Sequence, residues 1–273
     1  MGLRVNSNPA SINAQRNLTN STNALQRSLS RLSSGLRITR AGDDAAGLAI
    51  SERFRADIRS QAQAQRNAND GISLLQIGEG ALNEVSSILI RQRELAIQAA
   101  NGTLGDKERA TVNQEFQDLT KEIDRISSVT KFNGTSLLQS GAAIDFQIGI
   151  GNTSSDRITI SSVNATTAGL GTSGAAVSSA SGAQNALSLI DSAISQVASL
   201  RATFGTVQNR LESAIRSLAV AQENSTAAES RIRDVDFASE TAELTRNQVL
   251  QQAGISVLAQ ANVSTQAAAR LLQ

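Results

Sequence analysis

Apolar residues near both ends of this 273-residue chain recur at the seven-residue spacing of coiled-coil helices. In the N-terminal stripe, one heptad position is held by Leu18, Leu25 and Leu32, and the other by Leu29 and Leu36. In the C-terminal stripe, one position is held by Leu250, Val257 and Leu271, and the other by Ala261 and Ala268. A helix with such a stripe buries it against a partner. We therefore predict that the two ends pair with each other or with another subunit.

The pattern between the ends predicts long helices that are interrupted once by β-structure. After a helix over residues 18–36 and a turn at 42–44, one long helix carries its apolar residues in a single heptad register, and a shorter helix covers about 106–130. Apolar and polar residues then alternate in two short segments, which predicts a β-hairpin at about 144–161.

A stretch rich in Ser, Thr and Gly, at about 164–182, has few large apolar side chains and is predicted as a loop. Helical spacing returns over residues 183–230. The predicted fold is mainly α: a long antiparallel coiled-coil or helical-bundle rod with one small β-hairpin and with paired N- and C-terminal helices. Residues 1–42 with 234–273 would form a terminal helical domain, and residues 43–233 a helical rod domain.

The composition argues against catalysis. The chain has no His, Cys, Trp or Tyr, so the commonest general acid–base group, the thiolate nucleophile and the usual zinc ligands are missing. Only 2% of residues are aromatic, and the apolar content relies on small side chains, which suits long and closely packed helices. We expect a protein that is not an enzyme and that holds no cofactor or metal.

The net charge of +1 does not indicate nucleic acid as a partner, but the charge is unevenly distributed. Residues 1–42 contain six arginines and no acidic residue, whereas residues 234–273 contain four acidic residues and two arginines. The basic start indicates either an electrostatic complement to the C-terminal segment, with Asp234, Asp236 or neighbouring subunits as expected partners of the arginines, or an arm that binds a membrane surface or nucleic acid. No apolar run is long enough for membrane insertion, and the first residues lack the apolar segment of a signal peptide.

Several ordered runs of residues resemble bacterial flagellins. The N-terminal ones are residues 34–38 (Ser-Gly-Leu-Arg-Ile), 42–51 (Gly-Asp-Asp-Ala-Ala-Gly-Leu-Ala-Ile-Ser), 68–73 (Ala-Asn-Asp-Gly-Ile-Ser) and 93–98 (Arg-Glu-Leu-Ala-Ile-Gln). The later ones are residues 132–135 (Phe-Asn-Gly-Thr), 231–238 (Arg-Ile-Arg-Asp-Val-Asp-Phe-Ala), 250–254 (Leu-Gln-Gln-Ala-Gly) and 258–262 (Leu-Ala-Gln-Ala-Asn). The resemblance covers nearly all of the chain except about residues 140–182.

This resemblance implies a structural subunit that polymerises with its own copies into a hollow extracellular filament used for swimming. The paired terminal helices would line the channel, and the stripe residues Leu18, Leu25, Leu29, Leu32, Leu36, Leu250, Val257, Ala261 and Leu271 would form the assembly interface. It further implies passage through the flagellar export apparatus with a flagellin chaperone, and contact with the filament cap and the hook–filament junction proteins.

Flagellins are also ligands of Toll-like receptor 5, and the resemblance places the family's contact positions at Arg91, Leu95 and Glu115. Ordinary solvated or intersubunit charges are the alternative for these residues. Two alternatives to a flagellin stay open from the sequence: a hook–filament junction protein, which shares the terminal helices, and a secreted membrane-active helical protein that uses the basic amphipathic start.

Overall fold

The computed structural model describes residues 8–139, 143–161 and 163–270, with side chains described as far as residue 263 at the C-terminal end. These residues form five α-helices and two antiparallel strand pairs. The elements are α1 (Pro9–Ser34), α2 (Ala45–Ala100), α3 (Asp106–Val129), β1 (Lys131–Phe132), β2 (Thr135–Ser136), β3 (Ile144–Gln147), β4 (Arg157–Ile160), α4 (Ala180–Arg233) and α5 (Phe237–Arg270). The predicted mainly α fold with a hairpin is confirmed, and β1–β2 is a second, shorter strand pair.

The chain packs as two units. The first comprises the described residues up to Ala56 together with those from Asn224 onward, and the second is Asp57–Glu223. The predicted domain boundaries at residues 42 and 234 lie in the connections that follow α1 and precede α5, whereas the two units divide inside α2 and α4.

Helix α1 is longer at its start than the leucine stripe predicted, because its ends carry strong local signals. The Asn8 side chain caps the N-terminus by accepting a hydrogen bond from the Ser11 amide at 3.1 Å, and Pro9 occupies the first turn. Gly35 ends the helix in the left-handed conformation at φ 71°, with its N–H bonded to the Arg31 carbonyl at 2.8 Å. The predicted helix over 18–36 therefore becomes Pro9–Ser34.

The core of the second unit follows the predicted register of the long helix. The apolar residues of that register in this unit are buried, namely Ala68, Leu75, Leu82, Leu89 and Ala96, whereas Phe54, which opens the register, belongs to the first unit and is half-buried. Helix α4 runs antiparallel to α2: Gly71 lies against Leu211 and Gly78 against Phe204. A Cβ atom at Gly78 would come within 2.6 Å of the Phe204 ring. Glycine therefore lets this ring fill the space between the two helices.

The turn between α2 and α3 is organised by a buried arginine. The Arg109 guanidinium donates to the carbonyls of Ala99 and Leu104, each at 3.0 Å, and to the Asp106 carboxylate at 3.0 Å. Because its donors are satisfied by the chain reversal itself, this charge is tolerated at 7% exposure. The residue fixes the direction in which α3 leaves the turn.

The hairpin β3–β4 packs on α2 and has a compact tip. The Gln147 carbonyl accepts a hydrogen bond from the Asn67 amide at 3.1 Å. At the tip, the Asp156 carboxylate accepts from the Thr153 N–H at 2.9 Å and from its hydroxyl at 2.6 Å, which lowers the pKa of Asp156. Residues 151–153, at the tip of the hairpin, are exposed.

The segment predicted as a loop at 164–182 is irregular, but much of it is buried along α3. Apolar side chains anchor it to the core, namely Val163, Ala165, Leu170, Ala175 and Val177. The Thr167 amide and hydroxyl donate to Asp124 of α3 at 2.9 and 2.8 Å, and the Ser127 hydroxyl donates to the Ala165 carbonyl at 2.8 Å. Helix α4 begins at Ala180, three residues before the predicted start at residue 183.

Candidate assembly interface

Helices α1 and α5 form an antiparallel pair within the first unit. At one end the Asn8 amide donates to the Ala261 carbonyl at 2.9 Å, and toward the other end Arg31 lies 3.7 Å from the Glu240 carboxylate. Contacts between these two helices therefore extend along most of α1. The predicted pairing of the N- and C-terminal helices is present in the structure.

Beyond Arg31, the pair is closed by main-chain hydrogen bonds. The Val235 amide donates to the Gly35 carbonyl at 3.0 Å, and Leu36 forms an antiparallel bridge with Asp234. The Arg37 guanidinium donates to the Ile232 carbonyl at 2.6 Å. These bonds join the segment after α1 to the segment before α5, so Leu36 is held by backbone pairing as well as by its side chain.

The side of α1 that faces α5 combines leucines with small residues. Leu18, Leu25 and Leu32 are half-buried, and the alternating heptad position is filled by Ala14 and Ser28, the two buried residues of α1. Leu29, predicted at the neighbouring heptad position, is 49% exposed; its contact with another subunit stays a prediction, and it does not fill the position between α1 and α5. Small residues prevail there since they let the two backbones approach.

The side of α5 that faces α1 is likewise small or polar. Gly254 lies against Leu18, where an added Cβ atom would be 3.4 Å from the nearest leucine carbon, and Gln251 donates to the Thr22 hydroxyl at 3.3 Å. Sequence reasoning missed both Gly254 and Gln251, because it followed the largest apolar residues. The only signal for them is their spacing, because Gly254 precedes the half-buried Leu258 by four residues and Gln251 precedes Gly254 by three.

The predicted C-terminal stripe points away from α1. Leu250 is 49% exposed and Val257 is 57% exposed, whereas Ala261 is half-buried beside the start of α1. Leu271 lies outside the described residues. The exposed large apolar side chains of the two helices are Ile12, Leu29, Phe237, Val249, Leu250, Ile255, Val257 and Val263. We call this set the exposed apolar stripe.

Among the described residues, the arginines of the N-terminal segment form no side-chain ion pair with Asp234 or Asp236. Arg31 contacts Glu240, and also Asp43 at 4.0 Å, rather than Asp234 or Asp236. The Asp236 carboxylate instead accepts a hydrogen bond from the Ala238 amide at 3.0 Å. This is the usual role of an acidic residue at the start of a helix.

The three predicted receptor positions fall into two groups. Arg91 and Glu115 lie on α2 and α3, are exposed, and are joined at 2.8 Å; hydrogen bonds to Glu115 and then to Glu94 raise the pKa of Arg91. Leu95 is 1% exposed within the core. Leu95 therefore presents almost no side-chain surface in the folded subunit, and its part in a receptor contact stays a prediction.

Two further classes of site were sought. None of the helices described here has an apolar run long enough to cross a membrane. Among residues 8–139, 143–161 and 163–263, no group of three acidic side chains is placed to hold a metal ion.

Comparison with known proteins gives concordant results from sequence families and from relatives. Residues 5–143 match the family model described as the bacterial flagellin N-terminal helical region, and residues 187–272 match the bacterial flagellin C-terminal helical region. The flagellin of Halalkalibacterium halodurans is 47% identical over 272 residues, covering 98% of this chain and 99% of the relative. The flagellin of Bacillus subtilis is 43% identical, covering 99% and 100%.

A solved structure agrees with this similarity. The crystal structure of Bacillus cereus flagellin is 36% identical in sequence and superposes with a TM-score of 0.51, over 56% of this chain and 88% of the solved one. The sequence similarity, which spans residues 5–143 and 187–272, includes both helices whose apolar residues are exposed.

Proposed function

The chain belongs to the bacterial flagellin family and is a structural subunit of the flagellar filament; from this premise we propose that its terminal helices complete their folding only as copies assemble. The observation that carries the proposal is the exposed apolar stripe on α1 and α5. In this mechanism, neighbouring subunits cover the stripe, and the two helices line the channel of the filament.

The contrast between the two units supports coupled folding and assembly. The buried apolar cluster extends from Ala68 to Leu211, entirely within the second unit. In α1 the buried residues are Ala14 and Ser28, and no described side chain of α5 is fully buried. Most helical stability in proteins comes from tertiary packing of an apolar face. A helix pair with so little buried apolar surface depends on further partners.

The placement of the exposed apolar stripe favours other copies of the chain as those partners. Leu250 and Val257 lie seven residues apart on α5 and face away from α1, so they form a continuous ridge that α1 does not cover. A ridge that fits a different surface on the next copy makes a head-to-tail contact, which repeats without closing and generates a helical filament. The half-buried leucines of α1, namely Leu18, Leu25 and Leu32, would then hold α1 against α5 inside each subunit.

Amide hydrogen exchange tests the coupling. In the monomer we expect fast exchange across α1 and α5 and strong protection in α2 and α3; after growth on filament seeds, the protection of α1 and α5 should rise at least about a hundredfold. Buried amides of the second unit, around Phe116, serve as the internal control because assembly leaves their packing unchanged. Strong protection of α1 in the monomer would contradict coupled folding.

Membership of this family also indicates that the chain functions in the filament, outside the cell. We propose that the subunit reaches it through the flagellar export apparatus, accompanied by a flagellin chaperone, and that it joins a filament bounded by the cap and the hook–filament junction proteins. The exposed apolar stripe of α5 supports a chaperone, because unassembled subunits would otherwise associate through it. The two alternatives, a junction protein and a membrane-active helical protein, are not supported by any observed contact.

A receptor role is proposed for the paired charges on α2 and α3. We expect Arg91→Ala to lower Toll-like receptor 5 signalling by about ten- to a hundredfold, because a guanidinium that is already oriented by Glu115 at 2.8 Å is lost. Signalling in a reporter cell line at matched monomer concentration measures this effect. Arg125→Ala is the matched control, since it removes an exposed arginine of α3 that pairs with Glu122. Equal signalling by both variants would remove the proposal.

A further inference from the structure

A polar cavity lies between α1 and the loop that follows it. Its volume is about 250 Å³, and it is open to solvent on one side. Within the first unit it is lined by Asn23, Gln26, Arg27, Ser30, Arg31, Thr39, Arg40 and Asp43. Five of these residues lie on α1 at helical spacings of three and four, and three belong to the loop. The walls thus present three guanidinium groups and one carboxylate.

The carboxylate is committed to the loop and does not neutralise the arginines. Asp43 Oδ2 accepts hydrogen bonds from the Thr39 amide at 3.1 Å, the Thr39 hydroxyl at 3.0 Å and the Arg40 amide at 3.1 Å. The hydrogen bonds from Thr39, and the further one from Arg40, lower the pKa of Asp43, so it stays ionised in this structural role. Its other oxygen reaches Arg31 only at 4.0 Å.

The arginines are therefore incompletely compensated. Arg31 faces Asp43 and Glu240 at 4.0 and 3.7 Å, and its buried Nε atom has no hydrogen-bond partner. Within the described part of the chain, Arg27 and Arg40 form no ion pair. Arg27 and Arg31 are also four residues apart on one helix face, where like charges repel each other. An anion in the cavity would relieve this repulsion.

We propose that this cavity is an oxyanion site, which takes a phosphate, a sulfate or a carboxylate group between Arg27, Arg31 and Arg40. Guanidinium groups are matched to such groups because their N–H donors pair with two oxygens at once. The hydroxyl of Ser30 and the amide of Asn23 line the same cavity and supply neutral donors for further oxygens. The cavity has room for a tetrahedral anion with its first waters.

The oxyanion has two sources, and they are distinguishable. One is a free inorganic anion; the other is a carboxylate side chain of a neighbouring copy, in which case the site becomes part of the filament contact. The inference rests on the proposed function in one respect: α1 must be folded for its five lining residues to converge. The site is therefore examined in assembled filaments of the full chain.

The experiment uses filaments grown on seeds in chloride buffer. Radiolabelled inorganic phosphate at millimolar and lower concentrations is added, the filaments are pelleted, and retained phosphate is measured for wild type, Arg27→Gln and Arg40→Gln. The matched control is Arg16→Gln, which removes an exposed arginine of α1 outside the cavity. The protein concentration needed for polymerisation is recorded for each variant at the same ionic strength.

If the site takes a free anion, wild-type and Arg16→Gln filaments should retain phosphate saturably. The phosphate affinity of either cavity variant should be about tenfold lower, as expected for loss of one charge-assisted hydrogen bond. A carboxylate of a neighbouring copy predicts no retention, but a critical concentration about tenfold higher for the cavity variants than for Arg16→Gln. If phosphate is not retained and the cavity variants polymerise like Arg16→Gln, the proposal is overturned.

Two further measurements keep the outcomes separate. If a glutamine variant does not polymerise, Arg27→Lys replaces it; this variant keeps the charge but loses the two-pronged donor, and weaker phosphate retention than wild type is expected. If the wild-type chain itself does not grow on seeds, the proposed assembly has failed. The oxyanion site is then tested by phosphate titration of monomer whose α1 amides have helical chemical shifts; the titration is monitored through those amides, and unchanged spectra would reject the site.

Discussion

Val257→Asp is expected to abolish filament growth and to leave the unfolding temperature of the monomer unchanged. The Val257 side chain is 57% exposed in the subunit, so its replacement removes little packing within the chain. Burial against a neighbouring copy would lose about 1.5–3 kcal/mol of apolar transfer free energy, and an unpaired carboxylate would add a desolvation cost of several kcal/mol. A penalty of about 4 kcal/mol corresponds to roughly a thousandfold rise in the critical concentration.

Seeded growth followed by light scattering and electron microscopy measures this effect. The control is Gln252→Asp, which introduces the same charge on the same helix at an exposed position that carries no apolar side chain. Filaments from Val257→Asp at the wild-type critical concentration would show that this ridge of α5 stays in solvent after assembly. The role given to the exposed apolar stripe would then be withdrawn.

Phe116→Ala should be the most destabilising of the simple truncations in the second unit. The ring is fully buried on α3, and its removal leaves a cavity among large apolar neighbours. Truncation of a buried phenylalanine costs about 3–5 kcal/mol. Denaturant unfolding of the monomer, followed by the helical circular dichroism signal, gives the change in the free energy of unfolding.

Ile97→Ala supplies the comparison on α2, because its side chain is 52% exposed and its truncation is expected to change the free energy of unfolding by no more than about 0.5 kcal/mol. A loss below about 1 kcal/mol for Phe116→Ala would mean that α3 contributes little to the cooperative unfolding of this unit. The variant that unfolds the second unit and the variant that prevents assembly thus lie on different helices.

The helical part of the fold is predictable because its signal is local and redundant. The heptad register of α2 marked Leu75, Leu82 and Leu89, and all three are buried. The segment after β4 could not be interpreted in this way. Its buried residues are mostly alanine, valine and threonine without a period, and its position depends on hydrogen bonds such as that from Thr167 to Asp124, forty-three residues away. Composition alone indicates an exposed loop.

The sequence predicts where the candidate interface lies, but not which of its residues face the paired helix and which are exposed. The stripe marks Leu18, which lies against Gly254 between the paired helices, and in the same way Leu29 and Val257, which are exposed. Heptad spacing reports that a face is apolar, and a helix with two apolar faces satisfies the same pattern with either. The inward face is identified by small residues such as Ser28 and Gly254, which allow close approach and carry no hydropathy signal.

A foreign peptide inserted for display would be tolerated differently in two parts of the second unit, the anchored segment on α3 and the compact tip of the hairpin. An epitope spliced into residues 165–177 would have to displace side chains that belong to the core, whereas the exposed residues 151–153 lie beyond the last paired residues of β3 and β4. Cargo joined at this tip would leave the hydrophobic interior of the second unit undisturbed. The hairpin tip is thus the better site for an inserted peptide.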